Sequence, residues 1–150
     1  MEVVLLEDSE NEPVTLDEAK RQCRILHANS DDHLTALITS AREMAEKEMN
    51  RSIVRQRWLA TMQHFESFVI DLPKPPLIEV VSIKYRDYEG EEQTVEPEIY
   101  RSSALGHRGK VFPKPGESWP ATSGEPDAVQ IEYLSGFGSV DKVPEMIKVG

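Results

Sequence analysis

The chain has 150 residues, 39% of them hydrophobic, and a formal net charge of −10 at pH 7. That length fits one domain with its own buried core, and the acidic excess argues against tight wrapping around nucleic acid, which requires Lys and Arg to displace phosphate counterions. The single cysteine excludes an internal disulfide and fits a reducing cytoplasm. The first ten residues lack the positive charge of a signal peptide. No apolar run reaches the roughly 20 residues of a membrane helix.

The N-terminal residues predict an arm and a first helix. Residues 1–13 are expected to form a flexible arm. Thr15 is a suitable N-cap, and Glu18 three residues later completes a capping box. The apolar residues that follow at helical spacing are Leu16, Ala19, Cys23 and Leu26. They share one stripe, so Cys23 is interpreted as a small core residue and not as a nucleophile.

A second helix is predicted over about residues 32–49. Ser30 or Asp31 can cap it, and the carboxylates of Asp31 and Asp32 are favourable beside its positive end. Its expected buried side consists of Leu34, Leu37, Ile38, Ala41, Ala45 and Met49. Because the joint between the two helices is short, residues 14–50 are expected to form a helical hairpin.

The hydrophobic period changes from 3.6 to 2 after residue 50, and residues 51–136 therefore predict a β-rich part. Strands are predicted within 53–62 and over 68–72, 77–86, 109–113 and 128–136, with a turn at 87–93 and a long irregular loop at 113–127. Residues 143–150 are expected to start a C-terminal helix that is truncated or missing. The predicted class is α+β: an N-terminal helical hairpin packed on a small, mostly antiparallel β-sheet with long loops, all in one domain spanning 14–150.

The stretch LPKPPLIEVVSIKY joins two of these strands through a rigid corner. Pro73, Pro75 and Pro76 each fix the backbone φ angle and remove a hydrogen-bond donor, so they fit neither a helix nor the inside of a sheet. One strand should therefore end at Leu72 and the next should begin at about Leu77. We name residues 73–76 the proline bracket.

The candidate chemical groups do not form a catalytic constellation in the sequence. The four histidines have no metal-ligand spacing and lie in different elements: His27, His33, His64 and His107. Asp31 and Asp32 resemble part of an acidic metal site, but carboxylates also stabilise a helix start without any ion. Ser102 and Ser103 lack the G-x-S-x-G elbow of a hydrolase. No catalytic, cofactor-binding or metal-binding residue is predicted.

Two further features suggest assembly surfaces. Trp119 lies in GESWPAT, and it is interpreted either as a plug on the domain's own core or as an anchor for a partner. Arg51, Arg55 and Arg57 could project to one side near the junction of helices and sheet, as a row of ion pairs between subunits or simply as solubilising charge. The net charge is −7 over residues 1–50, +3 over 51–86 and −6 over 87–150. This uneven distribution suits either complementary surfaces between copies or a solvated acidic exterior.

The joint order of several motifs resembles a known family. L-P-x-P-P-L, the strand VVSIKY, the loop PGESWP and the tail YLSGFG occur together within residues 14–148. This pattern is similar to that of the head–tail connector (adaptor) proteins of tailed phages and prophages.

The resemblance implies a structural virion protein without a reaction or a cofactor. Such adaptors form a ring below the portal protein, extend the DNA channel and present a platform to a head-closure or tail protein, so the expected location is the head–tail junction of the virion, after assembly in the host cytoplasm. DNA would pass through the lumen without sequence-specific binding, and no membrane partner is implied. Pro73, Pro75 and Pro76 would hold the ring-compatible geometry.

Three alternatives remain open at this stage. The chain could be a head-closure or tail-completion protein of the same assembly. It could be a small metal-dependent hydrolase using Asp31, Asp32 and a histidine. It could also be a general adaptor that binds a peptide along an open sheet edge.

Overall fold

The computed structural model describes residues 1–149 and confirms the α+β class with a helical hairpin. Its elements in chain order are β1 (Glu2–Glu7), α1 (Leu16–Cys23), α2 (Asp31–Met49), β2 (Gln56–Met62), β3 (Ile70–Leu72), β4 (Leu77–Arg86), β5 (Glu92–Thr94), β6 (Tyr100–Ser103), β7 (Gly109–Pro113), β8 (Val129–Ser135) and α3 (Glu145–Val149). No helix among these combines the length and the apolarity that crossing a membrane requires.

Two antiparallel sheets enclose one core. The larger sheet has the strand order β1-β2-β8-β4-β5, and the smaller one has the order β3-β7-β6. Side chains of both sheets form a single buried cluster, to which Ile83, Ile131 and Tyr133 contribute from the larger sheet and Leu72 and Val111 from the smaller one. In the smaller sheet, Leu72 and Val111 follow the exposed Asp71 and Lys110, as expected where only one face of a sheet meets the core. In the larger sheet, the sequence neighbours of Ile83 and Ile131 are half-buried.

The flexible arm predicted for residues 1–13 is wrong for residues 2–7. They form β1, which pairs antiparallel with β2 from Glu2 opposite Thr61 to Leu5 opposite Trp58. Val3 packs against the core, so one residue of this short apolar run gains burial that a free arm would lack. β6 was also absent from the prediction, because its sequence YRSS has little of the apolar alternation that marks a strand.

The apolar stripe predicted for the first helix is also wrong at its end. Thr15 caps α1 as predicted, accepting a hydrogen bond from the Glu18 backbone. However, Arg24 adopts a left-handed conformation that ends the helix after Cys23. Leu26 consequently leaves the stripe and is fully exposed, and Cys23 is exposed as well, not in the core.

The face of α2 that meets the β-rich part is polar and not apolar. Leu34 is buried as expected, but Leu37 is 50% exposed, and Met49 is also exposed. The other buried side chains of α2 are Arg42 and Glu46. An ionic contact through Arg42 and Glu46, which lie beside the predicted apolar positions, therefore attaches the hairpin.

Arg42 forms three ion pairs with carboxylates from different parts of the chain. Its Nε donates to Glu12 Oε2 at 2.7 Å, its Nη2 to Asp8 Oδ2 at 2.9 Å and its Nη1 to Glu46 Oε2 at 2.8 Å. Only 2% of its side chain is exposed. Arg42 thus ties the segment after β1 to α2, because planar guanidinium can serve several carboxylate groups at once.

Glu46 extends this contact to the start of the β-rich part. Its Oε1 accepts a hydrogen bond from the Ile53 backbone at 2.8 Å, and its Oε2 accepts one from Gln56 Nε2 at 3.2 Å. Gln56 also donates to Asp8 Oδ1 at 2.8 Å. Burial disfavours the charge of Asp8, yet hydrogen bonds from Gln56 and Arg42 outweigh it, so the pKa of Asp8 lies below its usual value. We name Asp8, Glu12, Arg42, Glu46 and Gln56 the Arg42 cluster.

The chain after β8 passes very close to the segment before β2. Gly136 has φ +116, and a Cβ atom at this position would lie 2.1 Å from the carbonyl oxygen of Val54. The Gly136 backbone also donates to the carbonyl of Pro76 at 2.9 Å. Any side chain here would push apart the segments that join the hairpin to the sheets.

We expect Gly136→Ala to destabilise the fold strongly. The substitution adds the cost of a left-handed residue, about 1–2 kcal/mol, to the cost of displacing the Val54 backbone. Gly116→Ala is the matched control, since Gly116 also has a positive φ of +85 but open space around it. Urea unfolding should show at least twice the loss of unfolding free energy for Gly136→Ala; equal losses would contradict the close approach.

We expect Arg42→Met to lower the unfolding free energy by about 3 kcal/mol or more, because it leaves the buried Glu46 and the half-buried Glu12 without their counter-charge. Arg55→Met is the control, since Arg55 is exposed, and surface changes of this kind usually stay within about 0.5 kcal/mol. Urea unfolding measures both. Hydrogen exchange should also be faster in β1 of Arg42→Met. A loss no larger than that of the control would show that the cluster does not hold the hairpin in place.

Candidate assembly surfaces

The proline bracket joins the two sheets at the residues predicted from the sequence. β3 of the smaller sheet ends at Leu72, and β4 of the larger sheet begins at Leu77. The carbonyl of Pro73 accepts a hydrogen bond from the buried Tyr133 hydroxyl at 2.9 Å. Burial raises the pKa of this hydroxyl, which keeps it protonated as a donor.

The other bracket carbonyls are bound to the junction between the hairpin and the sheets. The carbonyl of Pro75 accepts from the Ser52 backbone at 3.0 Å, and that of Pro76 accepts from the Gly136 backbone at 2.9 Å. The Ser52 hydroxyl accepts hydrogen bonds from Ser135 Oγ at 2.9 Å and from Trp58 Nε1 at 3.0 Å. The bracket carries few donors, but its acceptors bind β8, the chain after α2 and the chain after β8.

The start of β4, directly after the proline bracket, also packs against the β6–β7 hairpin. β7 begins at Gly109, where a Cβ atom would lie 2.4 Å from Leu77 Cβ. A glycine is required here because the two strands approach so closely. The loop of residues 104–108 therefore lies next to the first residue after the proline bracket.

The three arginines singled out from the sequence line two cavities that share Asp8 and Gln56. Arg55 and Arg57 line one cavity of about 440 Å³, whereas Arg51 lines another of about 200 Å³. Arg57 is paired within its own chain, with Glu132 at 3.2 Å and Glu7 at 3.7 Å. Their role between subunits stays a prediction, and Arg57 would have to exchange partners to fulfil it.

Trp119 lies against its own domain. Its ring stacks on Phe65 with centroids 4.6 Å apart and planes 2° from parallel. Its Nε1 donates to the backbone carbonyl of Phe68 at 3.0 Å, and the side chain packs against the core cluster. This geometry fits the plug interpretation, while one side of the ring remains accessible in a groove.

One of the two carboxylates considered for a metal site forms an ion pair with a lysine. Asp31 pairs with Lys20 at 2.7 Å, which links α2 to α1. In the part of the chain that the structure describes, no group of three or more His, Cys, Asp or Glu side chains is placed to hold a metal ion.

The residues that sequence reasoning missed are the Arg42 cluster and the aromatic groove beside Trp119. Their members are far apart in sequence, as with Arg42 and Asp8, which are separated by 34 positions. The only local signal was the spacing of Arg42 and Glu46, since residues four apart on a helix can pair. Phe65 gave no periodic pattern because it lies in an irregular segment, and Phe68 was assigned to a strand over 68–72 that begins only at Ile70.

Three solved structures with this fold are of gene transfer agent (GTA) particles. A chain titled "Neck of empty GTA particle computed with C6 symmetry" matches with a TM-score of 0.82 and 16% identity, covering 97% of this chain and 76% of that one. "Virion of native gene transfer agent (GTA) particle" matches at 0.79 and 19% identity, covering 97% and 77%. "Neck of native GTA particle computed with C12 symmetry" matches at 0.66 and 21% identity, covering 95% and 75%. At these identities the similarity establishes the fold.

The family is established by the sequence itself. No curated protein matches the chain. A family model described as "Phage gp6-like head-tail connector protein" matches residues 13–105, which include the helical hairpin, the proline bracket and β4. The chain belongs to the phage gp6-like head–tail connector family, as its motifs predicted, and its function is that of a structural connector between head and tail.

Proposed function

We propose that this protein forms a ring of identical subunits in the neck of a tailed phage or phage-like particle, between the portal protein and a head-closure or tail protein. The family membership carries this proposal. The particle necks with a similar fold were computed with C6 and C12 symmetry, which supports a rotationally repeated arrangement. Assembly would take place in the host cytoplasm, before the ring becomes part of the virion.

A ring requires subunits of fixed shape, because angular errors add up around the circle until it cannot close. The proline bracket suits this requirement. Pro73, Pro75 and Pro76 restrict the backbone in a connection whose carbonyls are bound to three other segments. Such a connection loses little conformational entropy when the subunit is ordered.

The acidic charge of the chain suits a conduit for DNA. At a net charge of −10, a lumen with acidic walls repels phosphate at short range, whereas a basic wall would bind the duplex and slow its passage. The ring would therefore guide DNA without reading its sequence.

Mixing the protein with its cognate portal ring tests the proposed role. Electron microscopy should show an additional coaxial layer of density on the portal, with the rotational symmetry of a closed ring. Bovine serum albumin at the same concentration serves as the control for nonspecific deposition. Binding only to the isolated tail, with no layer on the portal, would instead indicate a tail-completion protein, and binding to neither would refute the proposal.

Replacing Pro73, Pro75 and Pro76 together by alanine should leave a folded monomer that assembles poorly. The carbonyl acceptors remain, but the restriction of φ is lost. We expect a reduction of at least fivefold in the fraction of portals that carry the additional layer. The control replaces the exposed loop residues Pro97, Pro115 and Pro126 by alanine, and circular dichroism verifies the fold of both variants. Equal assembly of the two variants would show that the proline bracket is not required for ring formation.

A further inference from the structure

The loop between β6 and β7 presents an exposed leucine among basic side chains. Leu105 is 84% exposed. Arg108 is in the same loop, and Arg101 and Lys110 lie on the strands beside it, both exposed and alternating with the inward-facing Tyr100 and Val111. Within residues 1–149, none of the three cations has a carboxylate at ion-pair distance. We name residues 101–110 the basic hairpin.

An aromatic groove lies elsewhere on the β-rich part. It has a volume of about 540 Å³, and its walls include Phe65, Phe68, Tyr88 and Trp119. Phe68 is 55% exposed and Tyr88 is 79% exposed, although large aromatic side chains gain most when they are buried. The stacked pair of Phe65 and Trp119 gives the groove a rigid wall.

Several glutamates are sequence neighbours of the residues that line this groove. Glu66, Glu89 and Glu125 each adjoin a groove residue in the sequence, and Glu91 lies in the same turn as Glu89. Two of them have a counter-charge in the chain: Glu66 pairs with the Met1 amino group at 3.0 Å, and Glu125 approaches Arg86 at 3.9 Å. Glu89 and Glu91 are exposed and have no basic partner at ion-pair distance in the described chain.

The loop of the basic hairpin and the aromatic groove lie at opposite ends of β6, because the Tyr100 ring at the start of β6 is 6.4 Å from the Trp119 ring of the groove. The hairpin loop adjoins Leu77, the first residue of β4. The groove contains Tyr88, which follows the last residue of β4, Arg86, by two positions. The four residues of β6 span about 13 Å, so Leu105 in the loop after β6 lies beyond contact distance of the groove walls in its own subunit.

From this arrangement, which rests on the proposed ring, we propose that the aromatic groove of each subunit receives the basic hairpin of the neighbouring copy. Leu105 inserts between the aromatic walls, and Arg108 and Lys110 face Glu89 and Glu91. Two different surfaces then meet in a head-to-tail contact, which is the type of contact that closes a ring when the rotation between subunits is right.

The chemistry of the two surfaces is complementary in both of its components. A leucine side chain is stabilised when it is removed from water, and guanidinium is attracted to the faces of aromatic rings. The carboxylates near the groove would orient the incoming hairpin and raise the association rate of the subunits. Because the charges are exposed, their contribution should weaken as salt rises, with a screening length of about 8 Å at 0.15 M.

Charge exchange tests the pairing of these two surfaces. Glu89→Lys/Glu91→Lys should reduce ring formation on the portal at least tenfold, and so should Arg108→Glu/Lys110→Glu, because each places like charges opposite each other. The chain that carries all four substitutions should regain ring formation to within about threefold of the wild type. Electron microscopy of portal complexes at low salt measures the fraction with a complete ring.

The control is Glu10→Lys/Glu48→Lys, which makes the same charge change at two exposed positions outside both surfaces and should leave ring formation unchanged. If the reversed groove and hairpin variants assemble like the wild type, the inference is overturned while the ring itself stands. If both variants fail and the combined chain does not recover, the partner is the portal or a tail protein and not a second copy. A wild type that forms no ring overturns the proposed function and this contact together.

Discussion

The hydrogen bonds to the proline bracket are the constraint on which the rest of the architecture depends. A connection between two sheets normally leaves their relative position free, because a short loop has many conformations. Here the carbonyls of Pro73, Pro75 and Pro76 bind Tyr133, Ser52 and Gly136. Tyr133 anchors the bracket to the core of the larger sheet, while Ser52 and Gly136 anchor it to the chain entering and leaving the β-rich part. The bracket consequently fixes the relative positions of the two sheets, the hairpin junction and the loop beside Leu77.

The Arg42 cluster attaches the polar face of α2 to the rest of the chain without an apolar contact surface. A buried guanidinium pays a desolvation cost, and only a complete set of partners compensates for it. Glu12, Asp8 and Glu46 supply those partners at 2.7–2.9 Å. Because a misplaced carboxylate leaves a buried charge unpaired, the contact is selective for one orientation of α2. That selectivity suits a subunit whose outline must match its neighbours.

The parts of the fold that were predicted correctly are those determined by residues close together in the sequence. β4 and β7 have the predicted bounds of 77–86 and 109–113, since prolines and turn residues delimit runs of strand-forming residues. Leu26 and Cys23 were assigned to the core wrongly, because periodicity cannot show that Arg24 turns left-handed. β1 was missed since its partner β2 lies about fifty residues away. The same reason applies to the candidate surfaces: the bracket is contiguous and was found, whereas the aromatic groove combines residues from three separate loops.

β4 gives the two proposed contact surfaces a fixed relation. It begins beside the basic hairpin at Leu77 and ends next to the turn that carries Tyr88, and its pairing with β8 shifts register between Leu77 and Glu79 and again between Val80 and Ser82. Such irregularities bend a strand and increase its twist. Since β8 pairs with β4 from Leu77 to Tyr85, this bend is held by the sheet and cannot relax independently. The angle between successive subunits would then be determined by β4, by its two register shifts and by the proline bracket that precedes it.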